Sequence, residues 1–227
     1  MQVVYLWQPS RMLDEFLDLF LPTKCLQCLR PPSVICQTCA SGLDLPAHPV
    51  TRGGLNGYSV VDYSAEVSQL IDKYKEHGVT AVAKFLAKPM VTNLLANASP
   101  GDFLVVPPSS KQSVRRRGYE PATVLAAQII RQARKAGFEL KLARQALTLI
   151  EPVHDQAQLN ARQRFENLAN AMVGQRWLAG QQVILIDDIV TTGATLLECR
   201  RAVEEAGGFV RFFSTFAETK SKNDTRR

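Results

Sequence analysis

Hydrophobic and polar residues follow two different rhythms along the chain from residue 58 onward. Short β-branched and aromatic runs predict strands, and longer stretches with apolar residues at helical spacing predict helices. The predicted strands cover residues 58–63, 103–106, 183–186 and 209–216, and the predicted helices cover 65–76, 80–97, 121–136, 160–169 and 194–206. Strands that alternate with helices indicate an α/β fold, with a largely parallel sheet and helices on both faces.

The first 57 residues show a different pattern. Residues 12–20 have the spacing of an amphipathic helix, which we expect to face the core; adsorption to a membrane is the alternative, disfavoured by its acidic polar face. A short cysteine-rich segment follows, and residues 43–57 contain enough proline and glycine to predict a linker. We therefore predict two units, an N-terminal one over residues 1–55 and an α/β domain over residues 56–227.

The predicted strand 183–186 leads directly into two acidic residues, Asp187 and Asp188. Ligands of open α/β sheets bind beyond the carboxyl ends of strands, and adjacent carboxylates can accept hydrogen bonds from a ribose diol. A helix start supplies free N–H groups to a phosphate, and here it is preceded by small and hydroxylated residues: Thr191, Thr192, Gly193, Ala194 and Thr195. The order predicts a ribose 5-phosphate site; the alternative is an acidic turn followed by an ordinary helix cap.

Residues 183–196 as a whole resemble the phosphoribosyl-pyrophosphate (PRPP) fingerprint of the type I phosphoribosyltransferases. The resemblance implies that Asp187 and Asp188 hold the ribose hydroxyls, and that the loop from Thr191 to Thr195 holds the 5-phosphate. It also implies Mg²⁺ bound with PRPP, and a reaction at ribose C1 in which the two carboxylates act as catalytic groups by stabilising developing positive charge.

Four cysteines form two C-x2-C pairs, Cys25 with Cys28 and Cys36 with Cys39. Each pair can direct two thiolates at one ion, and two pairs complete a tetrahedral zinc site. Four protein ligands leave no open position, so the zinc would be structural; two disulfides or free thiols are the alternatives. The fifth cysteine, Cys199, lies on a predicted helix and is expected to be a small core residue.

A basic segment follows the predicted strand 103–106 and includes Lys111, Arg115, Arg116 and Arg117. Arginine can bind two phosphate oxygens at once, so a basic loop at a strand end could contact a pyrophosphate group. The alternative is a solvated surface loop.

Two cysteine pairs ahead of a PRPP fingerprint resemble the ComF family of competence-related proteins, which includes the GntX group. Further matching residues are Pro107, the run Arg117-Gly118-Tyr119, the block Gln156, Leu159, Arg164 and Asn167, and residues 72–75. By this resemblance Lys73 and Arg117 contact pyrophosphate, and the setting is DNA uptake or utilisation. The chain departs from the family pattern after Tyr119, where Glu120 and Pro121 replace Asn-Gln, and before Gln156; these differences concern the loops for pyrophosphate and the second substrate.

Charge and hydropathy refine this prediction. The formal charge of +6 suits a phosphate-bearing ligand, and there is neither an 18-residue apolar stretch nor a signal-peptide pattern, so we expect a cytoplasmic protein. We predict a phosphoribosyltransferase that uses PRPP and Mg²⁺ and acts in DNA uptake or utilisation. The alternative is a non-catalytic PRPP- or nucleotide-binding adaptor or sensor that contacts single-stranded DNA or the DNA-import machinery. Either form could be a homodimer.

Overall fold

The computed structural model describes residues 24–31, 34–43, 45–150, 168 and 170–220. Its strands are β1 (His48–Arg52), β2 (Leu55–Asp62), β3 (Phe103–Val105), β4 (Lys141–Leu142), β5 (Leu147–Leu149), β6 (Met172–Gly174), β7 (Gln182–Val190) and β8 (Phe209–Glu218). Six of them form one sheet in the order β1-β2-β8-β7-β3-β4, and β5 pairs with β6 separately. Every pair in the large sheet is parallel except β1 with β2.

The helices cover both faces of the large sheet. They are α1 (Gln37–Ser41), α2 (Ala65–Lys75), α3 (Ala81–Asn97), α4 (Lys111–Arg117), α5 (Pro121–Lys135) and α6 (Ala194–Glu205), with a 3₁₀ turn at Arg176–Leu178. One core cluster lies under α2, α3 and α5, and a second lies under α6 and the β5–β6 pair. The predicted α/β class with a parallel sheet is therefore confirmed, and Cys199 is a buried core residue as expected.

The central strand β7 is longer than the sequence pattern predicted. Its apolar residues 183–186 are fully buried, as expected for a strand covered on both faces, but pairing with β8 continues as far as Val190. On its other side β7 pairs with β3 only up to Leu185. Asp187 and Asp188 therefore lie inside β7 and yet beyond the end of β3, which leaves one side of them open at the carboxyl edge of the sheet.

The predicted linker is wrong in its second half. Residues 48–57 form β1 and the start of β2, an antiparallel hairpin that adds an edge to the main sheet. Gly53 and Gly54 have φ values of 55° and 76°, and two consecutive positive φ values make the tight turn that joins such strands. The glycines that suggested a linker are thus a hairpin turn, and the hairpin crosses the predicted division between residues 55 and 56.

The basic segment is a helix instead of the predicted loop. The side chain of Ser110 accepts a hydrogen bond from the Ser113 N–H, which caps the start of α4, and Gly118 ends the helix at a φ of 77°. Other predictions fall outside the described residues: the helix over 12–20, the helix over 160–169 apart from Leu168, and the motif residues Gln156, Leu159, Arg164 and Asn167. Among the described helices, none is long and apolar enough to cross a membrane.

Candidate functional site

The predicted phosphate loop connects β7 to α6. Gly193 begins the helix at a φ of 83°, and a β-carbon there would lie 2.5 Å from the β-carbon of Arg52, so the position requires glycine. The Thr192 hydroxyl accepts a hydrogen bond of 3.3 Å from the Ala194 N–H. First-turn N–H groups of a helix have no intrahelical partner, so this loop presents donors suited to an anion.

Asp188 is the most unusual group at this edge. Its side chain is 1% exposed and forms an ion pair of 2.8 Å with Lys75, whose side chain is 32% exposed. Apart from this ion pair, neither Asp188 oxygen has a hydrogen-bond partner in the described part of the chain. Buried carboxylate oxygens are nearly always hydrogen-bonded, so Asp188 has the capacity to accept further hydrogen bonds from a bound group.

The neighbouring carboxylate of Asp187 accepts a hydrogen bond of 2.9 Å from the Asp188 N–H. Burial and the charge of Asp188 raise the pKa of Asp187 to about 7, although Lys75 acts to lower it. Burial acts to lower the pKa of Lys75, but the charges of Asp188 and Asp187 outweigh burial and raise it. The pair of carboxylates therefore carries less than two full negative charges near neutral pH when no ligand is bound.

Lys75 is the lysine that contacts Asp188, whereas Lys73 stays a sequence-based prediction for a contact with pyrophosphate. Lys73 is exposed, and two residues along a helix correspond to a rotation of about 200°, so the two side chains leave opposite sides of α2. The predicted Arg117 does lie close to this group. Its Nη2 atom is 2.5 Å from the Glu76 carboxylate, and its buried Nε atom has no hydrogen-bond partner among the described residues.

Two tyrosines fix the position of Lys75. Tyr74 is fully buried, and its hydroxyl donates a hydrogen bond of 2.5 Å to the carbonyl of Pro121. The Tyr119 hydroxyl donates to the carbonyl of Tyr74. These bonds tie the last turn of α2 to the segment between α4 and α5, so that Lys75 and Arg117 are held beside one another at the same edge.

The four paired cysteines come together as predicted, with their sulfur atoms within 4.8 Å of one another. Burial acts to raise the pKa of Cys25, but hydrogen bonds from the backbone N–H groups of Cys28, Cys36 and Gln27 outweigh it and lower that pKa to about 6. The hydrogen bond with Cys36 is the main reason that the pKa of Cys39 is raised to about 12. The pKa of Cys36 is lowered as well, chiefly by a backbone hydrogen bond from Cys39. A cluster of four sulfur atoms in which two thiols ionise readily fits a soft divalent metal ion such as Zn²⁺.

A cavity of about 800 Å³ opens on the other side of β3 from the aspartates. Its lining includes three exposed cations, Lys111, Arg115 and Arg144, and one acidic residue, Glu120. Trp177, which is 43% exposed, forms part of the wall and packs against Phe103 with ring centroids 5.4 Å apart. The cavity thus combines positive charge with an aromatic surface.

Sequence reasoning missed several residues of these sites. Lys75 could have been found by extending the apolar stripe of α2, since it follows Ile71 by one turn and adjoins buried Tyr74. No spacing rule relates Arg52 to Glu218, because they are 166 residues apart. Trp177 and Arg144 become neighbours only through the pairing of β5 with β6.

Comparison with known proteins gives relatives of two kinds. No protein-family model matches the chain. The "DNA utilization protein YhgH" of Salmonella typhi is 29% identical over 145 residues, and that of Escherichia coli K12 is 28% identical over 145 residues; each alignment covers 62% of this chain and 62% of the relative. The matched region is therefore less than two thirds of those proteins. An orotate phosphoribosyltransferase of Methanopyrus kandleri is 56% identical over 32 residues, which is 14% of this chain and 18% of that protein.

Solved structures with related architecture include the orotate phosphoribosyltransferase of Mycobacterium tuberculosis H37Rv. It has a TM-score of 0.40 and 16% identity, and the match covers 82% of this chain and 86% of that one. The adenine phosphoribosyltransferase of Thermoanaerobacter pseudethanolicus has a TM-score of 0.38 and 12% identity, over 79% and 87% of the two chains.

Proposed function

We propose that this protein binds PRPP together with Mg²⁺ at the carboxyl end of β7 and transfers the phosphoribosyl group in a process of DNA utilisation. The observation that carries the proposal is the state of Asp188, a buried carboxylate whose only partner among the described residues is Lys75. The hydroxyls of a ribose would supply the missing hydrogen bonds. The loop that begins three residues later then lies in the correct order to bind the 5-phosphate.

The chemistry at this site requires charge stabilisation and no protein nucleophile. The C1–O bond to pyrophosphate breaks with its electron pair leaving on pyrophosphate, a bond from C1 to the acceptor nitrogen forms, and the acceptor gives its N–H proton to solvent. Mg²⁺ bound to ligand oxygens would neutralise charge on the leaving group. Asp187 and Asp188 stabilise the positive charge that develops on the ribose, and Lys75 and Arg117 stand where cations can contact pyrophosphate.

Calorimetric titration with PRPP and Mg²⁺ tests this proposal. The wild type is expected to bind saturably, and the double variant Asp187→Asn/Asp188→Asn to lose binding. A matched control, Asp62→Asn/Asp72→Asn, removes two carboxylates that are about half exposed and should leave binding unchanged. A folded wild type that binds no PRPP, or equal binding by the aspartate double variant, would refute the proposal. Release of pyrophosphate with added bases or amines then separates an enzyme from a sensor.

A second candidate function, contact with single-stranded DNA, is favoured by the cavity beside β3. Lys111, Arg115 and Arg144 would bind phosphates, and the exposed ring of Trp177 would stack with a base. The YhgH relatives are named for DNA utilization, which agrees with such a ligand. Contact with the DNA-import machinery, homodimer formation and a cytoplasmic location stay predictions.

Fluorescence anisotropy with a labelled 12-nucleotide single strand tests this second function. Binding should weaken as salt rises and should fall in the variants Arg115→Ala and Trp177→Ala. Arg131→Ala/Arg134→Ala is the control, because these arginines lie on α5 outside the cavity. If the control and the cavity variants lose DNA affinity equally, the interaction is a nonspecific attraction between charges and the cavity is not the binding site.

We also propose that Cys25, Cys28, Cys36 and Cys39 hold a structural Zn²⁺. The described segment around them packs Leu26, Val34 and Ile35 onto the core, so the metal would fix a small module against the main domain. Elemental analysis of purified protein should give one zinc per chain and none in a Cys28→Ser/Cys36→Ser variant. A metal-free wild type with four titratable thiols would refute this assignment.

A further inference from the structure

Arg52 and Glu218 form an ion pair that lies outside the proposed binding groups. They are 6% and 7% exposed, and the distance from Arg52 Nη2 to Glu218 Oε2 is 2.6 Å. The other Glu218 oxygen is 2.6 Å from Nε2 of His48. Asp62 lies near this group but forms its own ion pair of 2.8 Å with Lys220. Both oxygens of Glu218 therefore have partners from β1.

The guanidinium of Arg52 also bonds the two segments that leave β7 and β8. Its Nε atom donates a hydrogen bond of 2.9 Å to the carbonyl of Thr191, and its Nη2 atom donates one of 2.8 Å to the carbonyl of Thr219. The base of the same side chain lies under Gly193, where a β-carbon would come within 2.5 Å of it. Arg52 thus contacts both ends of the turn that precedes α6.

We propose that Arg52 is a positioning residue that sets the orientation of the phosphate loop. The inference rests on the proposed PRPP site and adds a residue from a different part of the chain to it. In a trans peptide the carbonyl and the following N–H are coplanar and point in opposite directions. Because Arg52 holds the Thr191 carbonyl, it also fixes the plane of the Thr192 N–H, which points away from the guanidinium. The loop is therefore oriented for a phosphate before the phosphate binds.

Arginine is required for this role because its donors form a planar fork. One guanidinium reaches the Glu218 carboxylate and the Thr191 and Thr219 carbonyls at once. A lysine ammonium can replace the charge opposite Glu218, but its single nitrogen cannot reproduce bonds in these separate directions. The variant Arg52→Lys therefore keeps the positive charge opposite Glu218 and removes the hydrogen bonds that position the loop.

The experiment measures PRPP affinity and amide hydrogen exchange of residues 191–195 in the wild type and in Arg52→Lys. We expect about tenfold weaker PRPP binding, because a hydrogen bond from a charged donor is lost while the charge opposite Glu218 remains. Within the loop, exchange should become faster at Ala194, whose N–H is hydrogen-bonded to the Thr192 hydroxyl. The control is Arg211→Lys, which alters the ion pair of Arg211 with buried Asp102 at the opposite edge of the sheet. This control should change neither measurement. Should Arg52→Lys fail to fold, Glu218→Gln takes its place, since it loosens the guanidinium and keeps a neutral acceptor.

The outcomes distinguish this inference from the proposed function. If the wild type binds PRPP and Arg52→Lys has unchanged affinity and exchange, the positioning role is wrong and the PRPP site stands. If the wild type binds no PRPP, the proposed function fails, and loop exchange alone decides whether Arg52 orders residues 191–195. Faster exchange throughout the sheet, instead of in the loop, would show a general stabilising role and would overturn the inference.

Discussion

Two neighbouring strands each carry a buried carboxylate near their carboxyl ends, and the two carboxylates differ in their partners. Glu218 on β8 has a cation or an imidazole at each oxygen, whereas Asp188 on β7 pairs with Lys75 alone within the described part of the chain. A buried carboxylate whose oxygens both have partners has little capacity left for a ligand, while one with an incomplete set can accept further hydrogen bonds. The comparison supports the two proposed roles, in which Glu218 helps to hold the loop and Asp188 binds the ligand.

Substitution of Glu218 should give the largest effect on stability. Glu218→Ala leaves the Arg52 guanidinium buried without its counter-charge, and we expect the free energy of unfolding to fall by about 3–5 kcal/mol. Urea denaturation followed by circular dichroism measures it. The control is Asp62→Ala, whose carboxylate is half exposed and should change stability by less than about 1 kcal/mol. A similar small loss for Glu218→Ala would remove the distinction between the two carboxylates.

Substitution of Asp188 should give the opposite result. Asp188→Asn removes the acceptor charge for the ribose, and we expect PRPP affinity to fall by about a hundredfold, as for the loss of one or two hydrogen bonds to a charged group. Stability should change little, because the Lys75 ammonium is partly exposed and can be hydrated. Calorimetry and urea denaturation on the same sample compare the two effects. An Asp188→Asn protein that is unstable but binds PRPP normally would reverse the assignment.

Asp187 predicts a pH dependence of ligand binding. With a pKa raised to about 7 in the unbound protein, its carboxyl loses the proton between pH 6 and pH 8. The ionised form accepts the ribose hydrogen bonds, so affinity should rise about tenfold over that range. PRPP has ionisable phosphates of its own, and Asp187→Asn corrects for them, since in this variant only the ligand contribution remains. If PRPP affinity depends on pH in the same way in the wild type and in Asp187→Asn, then ionisation of Asp187 does not control binding.

The same raised pKa of Asp187 affects folding with a definite sign. Between its ordinary value of 3.8 and about 7, the folded state holds a proton that the unfolded state has lost. This group's contribution to stability is therefore greatest below pH 3.8 and is lost as the pH rises to 7. The unfolding free energy of the wild type minus that of Asp187→Asn should decrease from pH 4.5 to pH 7, as measured by urea titration at each pH. A difference that grows over this range would contradict the expected sign.

The smallest effect is expected at the two lysines of α2. Lys75→Met should weaken PRPP binding about fivefold, because a partly exposed cation near pyrophosphate contributes roughly 1 kcal/mol. Lys73→Met, on the opposite side of the helix, should have the wild-type affinity. Competition between PRPP and unlabelled pyrophosphate for the site measures the affinity of both variants. A larger loss of affinity in Lys73→Met than in Lys75→Met would favour Lys73, the residue predicted from the sequence, as the pyrophosphate contact.

Sequence periodicity predicted the elements in which burial and spacing agree. The helices α2, α3, α5 and α6 and the strands β3 and β8 lie within a few residues of their predicted bounds. Each of these helices presents an apolar face to the core, and the two strands are apolar runs that pack into the core on both faces. The strand β1 was missed because a five-residue edge strand that contains His48 and Pro49 has no apolar run, and its turn has the composition of a linker. Helix α4 was missed because its stability comes from caps and not from an apolar stripe, and it buries no residue completely.

Candidate binding groups were predictable where they share one short segment. Asp187, Asp188 and the threonine loop follow each other within nine residues, so their sequence order predicts their spatial order. Lys75 and Arg52 come from other parts of the chain and reach the same edge only because the sheet places β2, β8 and β7 side by side. Pairing across a sheet is a long-range property, and local patterns do not contain it.

The β1–β2 hairpin determines where this chain could be shortened. A fragment that begins at residue 45 keeps Arg52 and with it the contact to Thr191, although it lacks all four clustered cysteines. A fragment that begins at residue 56 retains every residue of the PRPP fingerprint but loses the strand that carries Arg52. The two fragments differ by eleven residues, and only the longer one would be a suitable starting point for transplanting this site into another scaffold.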